Sequence, residues 1–123
     1  MEGLSAAASL VQELDKRLLV VLRDGRQYIG LLRSFDQFSN IVLEEAVERV
    51  TVDTSFADLP LGLYIVRGEN VVLLGALEGE GWRSVAGHTR VSASEISEMR
   101  AAERASAALK GSMRSRFDFL DAD

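Results

Sequence analysis

The sequence predicts a mainly β fold: a short N-terminal helix, then a strongly bent, open antiparallel barrel of five strands, then a C-terminal helical extension. Five short apolar runs separated by turn residues are typical of a small barrel. Gly30 interrupts the second run and indicates a sharp bend there. After Ser92, apolar residues recur at steps of three or four, which indicates an amphipathic helix.

The strands are assigned from apolar runs rich in β-branched residues. They are expected at residues 17–22, 27–33, 41–43 with 46–52, 63–66 and 71–77. The dipeptide Asp24-Gly25 lies between the first two runs and is a strong signal for a tight hairpin. Residues 53–62 contain the chain's one proline, Pro60, and are expected to form a loop.

Capping patterns locate the two helices. Ser9 and Gln12 have the spacing of a capping box, and so do Ser92 and Glu95. Gly111 is expected to end or weaken the second helix. The apolar stripe of that helix contains Ile96, Met99, Ala102, Ala105, Leu109 and Met113. These elements divide the chain into a barrel domain at residues 1–78, a linker at 79–91 and a helical extension with an acidic end at 92–123.

Composition excludes several classes of protein. The chain has no cysteine and one histidine, His88, so thiolate and His-cluster metal sites are excluded and no cofactor is expected. The formal net charge of −5 excludes a globally basic nucleic-acid binder but not a locally basic site. No apolar run is long enough to span a membrane and no secretory signal is visible, so a soluble intracellular protein is expected.

Two loop motifs are candidates for a binding site. Asp36, Phe38 and Asn40 lie between the second and third strands, and Arg67-Gly68 lies between the fourth and fifth. Each motif alone has an ordinary structural explanation, since an aromatic residue in a loop often plugs a core and Asn often holds a turn. If the loops of a barrel converge at one end, the two motifs together supply a stacking face, an amide and a guanidinium. That combination suits a single unstacked base.

The two motifs resemble those of the Sm and Sm-like family. Residues 22–26, Gly30 and Asp36-x-Phe38-x-Asn40 match the family's first motif, and residues 65–71 match its second. The resemblance covers roughly residues 9–78. It implies a ring of seven related subunits, in which the fourth strand of one subunit pairs with the fifth strand of the next.

In this chain the pairing strands would be the runs from Leu63 to Val66 and from Val71 to Leu77. Both runs are apolar and lack the lysines and prolines that protect a free sheet edge, which favours assembly. The alternative is that the two strands pair only with each other inside one chain.

The resemblance also implies roles for five residues in binding single-stranded, uridine-rich RNA. Phe38 would stack on a base, and Arg67 would cover the base from the other side or contact a phosphate. Gly68 would let the strand approach the RNA without a side chain. Asn40 would bind the edge of uracil, and Asp36 would accept from the Asn40 amide and fix its orientation.

More narrowly, the sequence is similar to the subunit type that distinguishes the cytoplasmic ring of mRNA decay from a nuclear ring. This implies a non-enzymatic subunit, located in cytoplasmic P-bodies, that binds the 3′ ends of deadenylated mRNA and supports decapping through a decapping-activator protein. The alternatives are a nuclear ring bound to a spliceosomal small RNA and a scaffold that binds only proteins. The C-terminal helix would pack on its own barrel, cross the ring face opposite the RNA loops, or dock a partner.

Overall fold

The computed structural model describes the backbone of residues 10–121 and the side chains of residues 10–110. The strands are β1 (Arg17–Leu22), β2 (Gln27–Phe35), β3 (Ile41–Val52), β4 (Ser55–Val66), β5 (Val71–Ala76) and β6 (Thr89–Arg90). One helix, α1 (Ala93–Asp121), follows them, and short 3₁₀ turns lie at Gly68–Asn70 and Gly81–Arg83. The sheet order is β5-β1-β2-β3-β4-β6, so the predicted mainly β, antiparallel fold is confirmed.

The N-terminal helix lies mostly outside the described residues. Within them, Leu10 and Val11 are helical and turn residues follow. Leu10 is buried against the core of the barrel. Ser9, the expected cap, is outside the described range.

Gly30 produces the predicted bend in β2. A Cβ at Gly30 would lie 3.0 Å from the Cβ of Leu43 and 3.2 Å from the Cα of Ala46, so a larger residue would push β2 and β3 slightly apart. The pairing register shifts between Ile29 and Leu31, on either side of this glycine. Long strands can therefore curl around one core.

The loop predicted for residues 53–62 is wrong. Ser55 already pairs with Val52 across a tight hairpin, and β4 runs without interruption through Pro60. Among residues 10–121, β6 pairs with the outer side of β4 only at Ser55 and Phe56. Pro60 is therefore on an open edge, where a strand tolerates a residue without an N–H.

The described residues form two apolar clusters. The main cluster fills the bent sheet and includes Leu18, Tyr28, Leu32, Ile41 and Leu43. A smaller cluster lies where α1 begins, since Ile96 is 1% exposed and packs with residues of the β3–β4 hairpin.

Helix α1 begins at the predicted cap, because the Ser92 hydroxyl accepts from the N–H of Glu95 at 3.1 Å. Only the start of the predicted stripe is covered: Ile96 is buried and Met99 partly buried, whereas Ala102 and Ala105 are exposed. The helix continues through Gly111, so this glycine does not end it. In the described part of the chain, no helix is long and apolar enough to cross a membrane.

The segment between β5 and α1 contacts the sheet despite its weak sequence pattern. The Arg49 guanidinium donates to the Trp82 carbonyl at 2.6 Å, and Arg17 lies 4.7 Å from the centre of the Trp82 ring. Thr89 N–H donates to the Thr54 carbonyl at 2.8 Å. The segment therefore places the base of α1 at the end of the β3–β4 hairpin, while the domain boundaries at residues 78 and 92 stay a prediction.

Candidate nucleic-acid interface

The fold brings the two loop motifs together at one end of the barrel. Ile41 pairs with Val66, so Asn40 at the end of one loop lies beside Arg67 at the start of the other. The loops line an open cleft of about 1000 Å³, with Asp36, Phe38, Asn40, Arg67 and Gly68 all on its walls. All five residues predicted from the sequence are therefore in one place.

Asp36 organises the β2–β3 loop. Its Oδ1 accepts from the backbone N–H groups of Phe38 at 2.9 Å and Asn40 at 3.0 Å. A short acidic side chain that binds N–H groups two and four residues ahead folds the backbone into a turn. The turn leaves Phe38 69% exposed, so this ring does not plug the core. A free aromatic face is thus presented at the mouth of the cleft.

The Asn40 amide is held at both ends. Its Nδ2 donates to Asp36 Oδ2 at 2.9 Å, as predicted, and its Oδ1 accepts from the N–H of Gly68 at 2.8 Å. Exchanging the two ends of the amide would oppose donor to donor at Gly68 and acceptor to acceptor at Asp36. One N–H and one lone pair of the amide remain after these two bonds.

Gly68 permits the contact between the loops. A Cβ at this position would lie 2.7 Å from the carbonyl carbon of Ser39 and closer still to the carbonyl oxygen of Phe38. Any side chain would therefore push the loops apart. The sequence predicted a glycine that admits RNA, but not the bond from its N–H to Asn40, which joins residues 28 positions apart.

The charges at the cleft are exposed. The hydrogen bond from the Asn40 side chain, followed by those from the Asn40 and Phe38 backbone, lowers the pKa of Asp36 below its ordinary value. Asp36 is consequently a carboxylate at neutral pH. Arg67 is largely exposed, with its Nη1 3.7 Å from Glu69 Oε1. An ion pair this open is weak and leaves the guanidinium available to another anion.

The two strands considered for assembly do not pair with each other. The sheet order places β5 at one edge. At the other edge, β6 pairs only with the start of β4, so the second half of β4 is the edge strand there. The alternative of pairing inside one chain is therefore wrong. Both edges carry exposed apolar side chains: Leu63 and Ile65 are 68% and 65% exposed, and Val72 and Leu73 are 59% and 56% exposed.

Comparison with known proteins agrees with this geometry. The LSM domain family matches residues 8–76. The Sm-like protein LSM1A of Arabidopsis thaliana is 56% identical over 95% of this chain and 91% of its own length. The LSM1-LSM7 complex subunit lsm1 of Schizosaccharomyces pombe is 54% identical over 60% of this chain and 53% of its own length.

Among solved structures, the Pyrococcus abyssii Sm protein in complex with a uridine heptamer superposes with a TM-score of 0.50 at 27% identity. The match covers 57% of this chain and 94% of that one. The barrel is thus shared, and α1 lies beyond the matched family region. The chain therefore belongs to the LSM domain family, as an Sm-like protein similar to those named LSM1.

Proposed function

We propose that this protein is an RNA-binding subunit of a seven-membered Sm-like ring that binds the uridine-rich 3′ ends of deadenylated mRNA and promotes decapping. It acts by binding and recruitment, without catalysing a step. The observation that carries the proposal is the Asn40 amide, which is fixed at both ends beside an exposed ring and an exposed guanidinium.

The fixed amide accounts for a preference for uracil. The uracil edge presents an N3–H donor beside the O4 acceptor, which match the free lone pair of Asn40 Oδ1 and the free Nδ2–H. Cytosine presents the reverse pattern and would need a flipped amide. The flip would lose the bonds to Asp36 and Gly68 and create a repulsion at each. The carboxylate of Asp36 therefore selects the base indirectly.

Phe38 and Arg67 provide affinity that depends less on base identity. A base that stacks on an exposed aromatic ring gains about 1–3 kcal/mol. Arg67 lies in the adjoining turn, where it covers the base or binds a phosphate. The protein's overall negative charge fits a site that relies on stacking and base edges more than on a broad basic surface.

The two edges that lie open in the described part of the sheet support ring assembly. The β5 edge of one subunit would pair with the β4 edge of the next, which would bury Leu63, Ile65, Val72 and Leu73. One base pocket is a weak site, whereas several pockets on one ring bind a single strand with high effective concentration. The name of the S. pombe relative, a subunit of an LSM1-LSM7 complex, supports an assembly of different subunits.

The assignment to cytoplasmic mRNA decay rests on likeness to proteins named LSM1, which extends over most of the chain in the Arabidopsis relative. Recruitment of a decapping activator and location in P-bodies are part of the same proposal. The competing nuclear role would be revealed by the sibling subunits that copurify with the native protein.

The test measures RNA binding by the ring assembled from the full chain and its siblings. Oligouridine is expected to bind more tightly than oligocytidine of equal length. Phe38→Ala should lose about 1–3 kcal/mol of binding free energy at its nucleotide, and Asn40→Ala should weaken uridine more than cytidine. Thr51→Ala, at an exposed position on β3 that does not line the cleft, is the control and should bind as the wild type does.

Two outcomes would contradict the proposal. Equal losses for uridine and cytidine in Asn40→Ala would rule out its reading of the base edge. Wild-type affinity in both Phe38→Ala and Asn40→Ala would favour a scaffold that binds only proteins.

A further inference from the structure

Arg23, which the site described above does not include, contacts the turn that carries Gly68. Leu22 at the end of β1 pairs with Val71 at the start of β5, so the residue after β1 lies beside the turn before β5. The N–H of Arg23 donates to the Asn70 carbonyl at 2.8 Å. Its Nε donates to the Glu69 carbonyl at 2.9 Å. Backbone and side chain thus bind successive carbonyls of the same turn.

These bonds meet a need of the short 3₁₀ turn at Gly68–Asn70. The last carbonyls of a helical turn have no partners within it, and a guanidinium can supply donors to them. Hydrogen bonds from a charged donor are also stronger than neutral ones. The turn is therefore held from two sides, by Arg23 at its carbonyls and by Asn40 at the N–H of Gly68.

We propose that Arg23 is a positioning residue for base selection, whose guanidinium holds the Gly68–Asn70 turn so that the Gly68 N–H fixes the Asn40 amide. The proposal rests on the proposed function, since the selected base is uracil. Without the hydrogen bond from the Arg23 guanidinium, the turn moves relative to the β2–β3 loop and the hydrogen bond between Gly68 and Asn40 lengthens. The flipped Asn40 amide that suits cytosine then gives up a weaker hydrogen bond to Gly68, so the flip costs less free energy.

The test compares three full-length variants, each assembled with its siblings. Arg23→Met keeps the length of the side chain and removes its donors, and Arg23→Lys keeps the charge and a donor. Arg26→Met is the matched control: it removes one exposed positive charge from the same hairpin, where Arg26 Nε lies 3.4 Å from Asp24 Oδ2. The measured quantity is the ratio of the dissociation constants for oligocytidine and oligouridine of equal length.

Arg23→Met is expected to reduce the preference for uridine about three- to tenfold, the range that corresponds to one net hydrogen bond. Arg26→Met should keep the wild-type ratio, and Arg23→Lys should recover part of it. Hydrogen exchange of the Gly68 amide, measured on the free full-length chain without RNA, should be faster in Arg23→Met than in the wild type and Arg26→Met.

Two results would overturn the proposal. The first is an equal loss of affinity for both oligonucleotides in Arg23→Met, together with a smaller salt dependence, because it would make Arg23 a phosphate contact. The second is wild-type exchange at Gly68 in Arg23→Met. Failure of the proposed function looks different, since the wild-type ring would then show no preference for uridine while the exchange measurement still decides whether Arg23 holds the turn.

Discussion

Replacing Gly68 by alanine should damage the base pocket while leaving the barrel folded. The added Cβ would lie 2.7 Å from the Ser39 carbonyl carbon, and the atoms nearest to it are backbone atoms of Phe38 and Ser39, which cannot rotate away. The two loops must separate, and the bond from Gly68 N–H to Asn40 Oδ1 is then lost. Leaving a donor and an acceptor unsatisfied in this way costs about 1–3 kcal/mol.

That free energy corresponds to a loss of oligouridine affinity between about fivefold and about 160-fold. The preference for uridine over cytidine should fall as well, because the amide is no longer fixed. Calorimetric titration of the assembled ring measures both, and the melting temperature of the full chain checks that it is folded.

Gly81→Ala is the matched control. A Cβ at Gly81 would meet none of the described residues' atoms within 4 Å, and its φ lies outside the left-handed region that favours glycine. This variant should keep wild-type binding. If Gly68→Ala also keeps wild-type affinity and base preference, the close approach of the loops does not control the pocket and the reasoning fails.

Two further predictions concern Asp36 and the C-terminal extension. Because hydrogen bonds from Asn40 lower the pKa of Asp36, the carboxylate's contribution to the loop is present at neutral pH and is lost only as the pH falls below the ordinary titration range of an aspartate. An NMR titration of Asn40 with its midpoint within or above that ordinary range would refute this. Truncation after Glu78 keeps β1–β5, so the ring should still form, with lower thermal stability because Val50 and Val52 lose their contact with Ile96. If α1 crosses the pore face, the truncation should also change the tolerance for extra 3′ nucleotides, whereas identical RNA binding would exclude that position.

The parts of this protein that local interactions determine could be predicted from its sequence. The turn after β2 depends on a carboxylate and N–H groups at most four residues away, so Asp36 and Asn40 carry the signal themselves. The Asp24-Gly25 hairpin and the Ser92 cap are equally local. The hairpin and the helix cap followed from spacing, whereas the contact between Asp36 and Asn40 was expected from the family resemblance.

Features that depend on distant partners could not be predicted in this way. Asp58 and Pro60 have the composition of a loop, and the partner that makes Asp58 a strand residue is Arg49 on β3, which binds it through two hydrogen bonds of 2.8 Å. The hydrogen bond between Gly68 and Asn40 joins residues that are farther apart still, by 28 positions. Periodicity shows that one face of α1 is apolar, but it does not show that this face is packed against the barrel only as far as Met99.

The two open edges of the sheet also affect how much of the unassembled protein can accumulate in a cell without aggregating. Among residues 10–121, each edge presents backbone groups that pair with no further strand, next to exposed side chains such as Leu63 and Val72; unassembled chains can aggregate through such edges. Copies made in excess of the other subunits of the proposed ring are therefore expected to self-associate or to be degraded. Balanced synthesis of the subunits then becomes a condition for keeping this chain soluble.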